Sequence, residues 1–262
     1  MGKQFESPVY LEPIEHVYIH RKTGVKYGSV TKAISAVEPH FDADAVAEAI
    51  THQADNVKQE RYIGLTKQQI LDFWQMLNDE ANVYGSRVHD IVERYLKASK
   101  WYTPPKNEKG EFTEEGLFEQ KVINGYANLK VDEGIAMHPE RIMFSEEYEL
   151  AGMSDLIVDI DPIWFDVGDW KTNRIFNFYN PYGYETLIKP FDHLQNCQWS
   201  IYTIQLSVYA LMYEMETGRR CRQIWIGYWD KTIETFQRIN IMYLKKEAKQ
   251  LLDLHKYNLQ YK

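Results

Sequence analysis

Asp155, Asp169 and Lys171 are the residue types that divalent-metal chemistry uses. They fall in two adjacent strand-like runs, Gly152-Met153-Ser154-Asp155-Leu156-Ile157-Val158-Asp159-Ile160 and Trp164-Phe165-Asp166-Val167-Gly168-Asp169-Trp170-Lys171-Thr172. Side chains alternate faces along a strand, so Asp169 and Lys171 point one way and Trp170 the other. The turn between the runs decides the rest. A three-residue loop over residues 161–163 sets Asp155 opposite Asp169, whereas a two-residue loop puts the carboxylates on opposite faces. In the first register Ile157, Phe165 and Val167 share the carboxylate face, and Leu156, Val158, Ile160, Trp164 and Trp170 take the other. Both faces are then apolar, as in a sheet covered by helices on both sides.

Two carboxylates and an ammonium at one end of a buried sheet are costly unless paired or metal-bound. Two carboxylate oxygens, a main-chain carbonyl such as that of Trp170, and waters make a hard, oxygen-rich site suited to Mg²⁺ or Mn²⁺. Lys171 would then serve the attacking water or neutralise charge growing on a phosphate in the transition state. The plainer alternative is that Asp155 caps a turn and Asp169 pairs with Lys171 on a surface strand.

Two further pairs sit at helical spacing. In the segment from Gly85 to Leu96, apolar residues at 88, 91, 92, 95 and 96 form a stripe, with His89 and Glu93 one turn apart at its edge. His89 would supply a nitrogen ligand, with Glu93 orienting the ring or sharing the site; otherwise His89 is a boundary histidine bonded to a nearby carboxylate. Gln205 and Tyr209 lie one turn apart amid Ile201, Ile204, Val208, Leu211 and Met212. Gln205 would bond substrate phosphate or Lys171, and Tyr209 the sugar-phosphate backbone, unless the two simply satisfy one another inside a core. Arg87, Arg94, Arg174, Lys189, Arg219, Arg220 and Arg222 are candidate phosphate contacts; the alternative for each is a solvated surface charge.

These residues need a scaffold. Residues 16–20 and 25–27 alternate around Gly24 as a β-hairpin, followed by a short helix from Thr31. Thr66 with Gln69 forms a capping-box pattern opening a helix over 67–99, with Gly85 as its expected break. Residues 101–110 form an exposed linker, and a second helix is expected over 114–137. Three strands follow over 142–150, 154–160 and 164–171, then a long aromatic loop over 173–195, a buried helix over 199–216, strands over 223–229 and 234–239, and a closing helix over 242–261. This is an α/β sandwich around a mixed sheet.

Composition sets limits. The 262 residues, 44% hydrophobic, suffice for a substantial core in one domain, with a hairpin and mainly helical part over 1–140 and the sheet and closing helices over 141–262. Only two cysteines are present, Cys197 and Cys221, so a disulfide framework and four-cysteine zinc or iron–sulfur sites are excluded within the chain. No apolar run is long enough for a bilayer span, and the N-terminus lacks a basic-then-apolar leader, so a soluble cytoplasmic protein is expected. The net charge of −8 opposes general polyanion binding unless basic residues cluster on one face. The aromatic content of 14% would suit stacking on single strands, though Tyr and Trp serve more often in cores and rims.

The ordered set resembles the RecB-like branch of the PD-(D/E)XK nuclease superfamily. Gly85, His89 and Glu93 match its Gly-x-x-x-His-x-x-x-Glu helix, Gly152 and Asp155 its Gly-x-x-Asp strand, Asp169 and Lys171 its acid-x-Lys strand, and Gln205 and Tyr209 its Gln-x-x-x-Tyr helix. The segment Tyr27-Gly28-Ser29-Val30-Thr31 is similar to one near the start of these proteins, and the likeness spans roughly residues 15 to 240. The resemblance implies a restriction-endonuclease-like core, Mg²⁺ or Mn²⁺ held by His89, Asp155 and Asp169, and Lys171 serving the attacking water. It also implies a stand-alone, phage-type DNA exonuclease in recombination, repair or phage DNA metabolism, without the iron–sulfur cluster of some relatives. DNA is the implied partner, with a partner protein or further copy left open. The competing class is a nucleic-acid-binding or assembly module that keeps the fold without catalysis.

Overall fold

The computed structural model describes residues 7–98, 101–180, 183 and 185–260. Its strands are β1 (Val9–Glu12), β2 (Val17–His20), β3 (Lys26–Ser29), β4 (Ala136–Ser145), β5 (Leu150–Asp159), β6 (Trp164–Lys171), β7 (Arg220–Asp230) and β8 (Thr235–Ile241). They form one mixed sheet in the order β1-β2-β3-β5-β6-β7-β8, with β4 also paired to β5. The helices are α1 (Val30–Ser35), α2 (Ala43–Thr51), α3 (Lys67–Lys97), α4 (Glu114–Asn128), α5 (Gln198–Thr217) and α6 (Lys245–Gln260). Among the described residues, no helix is long and apolar enough to cross a membrane.

Two cores follow from the two faces of the sheet. Ile157, Phe165, Val167 and Ile226 pack with Val30, Ile204, Val208, Met212 and Leu251, beneath α1, α5 and α6. Leu156, Val158, Trp170 and Trp225 pack with Val88, Ile91, Val92, Val122 and Tyr126, beneath α3 and α4. A satellite cluster of Ala47, Tyr62 and Ile70 joins α2 to the first turns of α3.

Several elements depart from what the sequence suggests. The expected break at Gly85 is absent: α3 begins on the Thr66–Gln69 capping box and runs unbroken through Gly85 to Lys97. α4 ends at Asn128 rather than running to residue 137, because Lys130 takes a left-handed φ of 49° and the Asp132 carboxylate accepts the Gly134 N–H in a tight turn. The chain then enters β4 where a helix was expected. Pro139 is tolerated there because β4 has β5 as its one strand neighbour, and an edge strand can lack an N–H. The strand expected over 142–150 is divided by a turn before Leu150, so its parts belong to β4 and β5. β4 also crosses the junction expected at residue 140, and β1 to β3 join the same sheet as the later strands. α2 and β1 lie where no element was expected. α6 starts at Lys245, three residues after the expected Met242, and the expected end at Tyr261 lies outside the described residues.

β5 is the strand on which the rest is hung. β4 pairs along its whole length, from Ala136↔Asp159 to Ser145↔Leu150, and so takes one edge. β3 and β6 share the other: β3 runs parallel at Gly28↔Leu150 and Ser29↔Ala151, and β6 antiparallel from Asp159↔Phe165 to Leu156↔Gly168. Residues 152–155 lie in the gap between them, where β6 diverges. The strands also turn over there. Met143 on β4 and Met137 are an even number of residues apart yet belong to opposite cores, as do Leu150 and Val158 on β5. A regular strand would keep each pair on one face. The reversal falls at Glu140, whose φ is 52°, and at its cross-strand position Asp155.

Candidate active site

The turn joining β5 to β6 has the odd length the carboxylates require. Ile160 N–H donates to the Trp164 carbonyl at 2.9 Å, and the Asp161 carboxylate accepts the N–H groups of Ile163 and Trp164 at 2.7 and 2.8 Å. Three residues thus form the loop, and the ladder it sets, extended one step past Leu156↔Gly168, brings Asp155 opposite Asp169. Beyond that step a side chain takes over from the ladder: Trp170 N–H donates to Asp155 Oδ2 at 2.6 Å. Ser154 Oγ lies 3.2 Å from the Gly168 carbonyl, closing the fork from the opposite face.

Each remaining group arrives on its own element. α3 approaches the end of β6 so closely that a Cβ on Gly85 would lie 2.9 Å from Thr172 Oγ1. The glycine expected to break the helix instead permits contact, and His89, one turn later, places Nδ1 3.3 Å from Asp155 Oδ2. Gly152 serves in the same way on β5, since a Cβ there would collide with the Tyr209 ring. Lys171 Nζ lies 2.5 Å from Asp169 Oδ2 and 4.6 Å from the centre of the Tyr202 ring.

The electrostatics are those of a dense buried quartet. Asp155 and Asp169 are 9% and 3% exposed. Burial works against ionising Asp155, but His89, Lys171 and the Trp170 N–H outweigh it and hold its pKa below the ordinary carboxylate value. Asp169 is pushed up to about 6, by burial first and by repulsion from Asp155 second. Burial opposes the charge on His89 and on Lys171, yet the two aspartates outweigh it and raise both pKa values. Lys171 therefore stays an ammonium at neutral pH.

As they stand, no three His, Cys, Asp or Glu side chains among the described residues form a metal-ligating cluster. Each aspartate is instead approached by a basic side chain of the protein, Asp155 by His89 and Asp169 by Lys171. The donor set nevertheless suits a hard divalent ion: two buried carboxylates meet at one point, with an imidazole beside one and the Lys171 ammonium against the other.

The other expected residues are placed as follows. Glu93 lies one turn along α3 from His89, and its carboxylate pairs with Lys97 instead of bonding the imidazole. Gln205 donates to Tyr209 OH at 3.0 Å, and not to Lys171; Tyr209 is buried at 3% exposure. Arg87, expected at phosphate, is bound to Glu115 and stacked over Phe118, and Arg94 pairs with Asp90 and Glu119. Arg219 is bound to Asp159, and Arg222 to Asp166 and Asp132. Arg174, Lys189 and Arg220 are exposed. Sequence reasoning missed Tyr202, although its i, i+3, i+7 spacing with Gln205 and Tyr209 puts the three on one helix face. It also missed Glu140, which belongs to no motif.

No protein-family model matches the chain, and no curated protein does. Among solved structures, a Eubacterium rectale protein named "Putative exonuclease" is 12% identical, with 90% of this chain and 79% of that one covered and a TM-score of 0.38. A second, SSO0001, is 15% identical over 66% of this chain and 74% of its own, with a TM-score of 0.27. Likenesses of this size leave the residues of the chain itself to carry the functional reading.

Proposed function

We propose that the chain is a metal-dependent deoxyribonuclease of the RecB-like PD-(D/E)XK type. The observation that carries this reading is the meeting of Asp155 and Asp169 across the fork of β5 and β6, with Lys171 on one carboxylate and His89 on the other. A pair of carboxylates this deeply buried is expensive to keep for stability alone.

Asp155, Asp169, His89 and the Trp170 carbonyl would hold Mg²⁺ or Mn²⁺, which supplies positive charge to the phosphate and acidity to a water. Lys171, held as an ammonium by the two aspartates, neutralises charge on the phosphate rather than taking a proton. Water oxygen bonds to phosphorus as the bond from phosphorus to the sugar oxygen breaks, and the proton lost by water is matched by one gained at the leaving oxygen. Gln205 and Tyr209, bonded to one another, support the β5 side of the site from α5.

The preference for ends over internal bonds follows the family resemblance. With four of the seven candidate cations committed to carboxylates, DNA binding depends on Arg174, Lys189 and Arg220, or on a partner protein or second copy that delivers the strand. The test is digestion of end-labelled linear single- and double-stranded DNA beside a closed circle, with and without Mn²⁺ or Mg²⁺. Metal-dependent loss of the linear forms with the circle spared supports an exonuclease, and cutting of the circle an endonuclease. Binding without release of any nucleotide overturns the reading in favour of a non-catalytic module.

A further inference from the structure

Glu140 is out of place in its strand by two separate criteria. Its φ of 52° lies in the left-handed region, where glycine is free of strain and a glutamate is not. The pairs Pro139↔Leu156 and Arg141↔Ser154 bracket it, so it stands directly across from Asp155. Its half-buried carboxyl makes no hydrogen bond or ion pair to any described residue, and it lies in the field of Asp155 and Glu93, offset by His89 and Lys97. The reversal of strand facing explains why the backbone needs a left-handed residue there. It does not explain a glutamate, since glycine would make the same turn at lower cost.

We propose that Glu140 is a further carboxylate of the site, binding a divalent cation, or that cation's water, together with Asp155. The proposal rests on the nuclease reading above and adds to it a residue from the strand on the opposite side of β5. One feature beyond the buried quartet points to a cation: the Glu140 carboxyl has no hydrogen-bond or ion-pair partner among the described residues, and it stands at the cross-strand position of Asp155 and in its field. A strained backbone and an unpaired acid persist together at one position when function retains them.

The experiment compares the wild-type chain with Glu140→Gln and Glu140→Gly. It uses calorimetric titration with Mn²⁺ alone, thermal unfolding without metal, and Mn²⁺-dependent cleavage of single-stranded DNA. Both variants should bind Mn²⁺ about tenfold or more weaker and cleave about 10- to 100-fold slower. Glu140→Gly should also melt at a higher temperature than wild type, because it removes both the strain and the unpaired acid. Wild-type Mn²⁺ affinity in Glu140→Gln overturns the proposal, as does a fall in melting temperature in both variants with affinity unchanged, which would make Glu140 purely structural. A wild-type chain that neither binds Mn²⁺ nor cleaves overturns the nuclease reading itself, a result distinct from either.

Discussion

Trp170 N–H donates to Asp155 Oδ2 at 2.6 Å at the point where the ladder between β5 and β6 has ended. One carboxylate oxygen therefore does the work of a main-chain acceptor, and it is the oxygen that His89 also approaches. The carboxylate that would hold a metal is thus fixed by the backbone of the strand carrying the other one. This coupling frames the first prediction. Asp169→Asn and Lys171→Ala should each lower Mg²⁺- or Mn²⁺-dependent cleavage by about a hundredfold or more, with circular dichroism unchanged. Cleavage at the wild-type rate in both would remove the site from contention.

The glycines give a prediction of a different kind. Gly152→Ala drives a methyl group into the Tyr209 ring and should cost about 1–3 kcal/mol in chemical unfolding. Gly85→Ala meets only Thr172 Oγ1, a side-chain atom that can move, so its unfolding penalty should be smaller than that of Gly152→Ala. Its effect should show in cleavage, because the same contact sets the reach of His89. Cleavage at the wild-type rate in Gly85→Ala would contradict the close-approach account of Gly85.

The arginines separate structure from substrate binding. Arg174→Ala should weaken DNA binding at low salt and reduce the salt dependence by about one unit of slope. Arg87→Ala should leave that slope unchanged, since its guanidinium is already held by Glu115. Fluorescence anisotropy over a salt series measures both.

Acid stability should depend on Asp159. Burial disfavours its charge, but His138, Arg219 and Tyr213 OH outweigh that and hold its pKa down at about 2. A carboxyl with a folded pKa below its unfolded value stabilises the fold above the unfolded pKa, and that contribution is lost as pH falls through the folded one. Stability should therefore drop between pH 3.8 and about 2, and Asp159→Asn should flatten that limb in denaturant titrations. An unchanged acid limb would mean that the cluster has no net effect.

Much of this was legible in the sequence because it depends on local period. The alternation from Ser154 to Ile160 and from Trp164 to Lys171 marked two strands, while the facing of Asp155 and Asp169 waited on a loop parity that the sequence left open between two and three residues. The Thr66–Gln69 box marked the start of α3. What escaped is tertiary. Gly85 looks like a helix break until β6 is seen against it, and Arg87 looks free until α4 supplies Glu115. The start of β4 was hidden by Pro139, acceptable only because that strand lies at an edge. Glu140 had no signal at all, since its importance comes from a backbone angle and a cross-strand neighbour.

The continuity of α3 has a mechanical consequence. Its 31 residues span about 46 Å as one rod, gripped near one end by Ala47 and Tyr62 through Ile70 and carrying His89 toward the other. A rod transmits torque as well as displacement. Rolling its outer end by a single residue step, about 100°, would swing the imidazole off Asp155, so whatever seats the α2–α3 arm also sets the aim of the histidine.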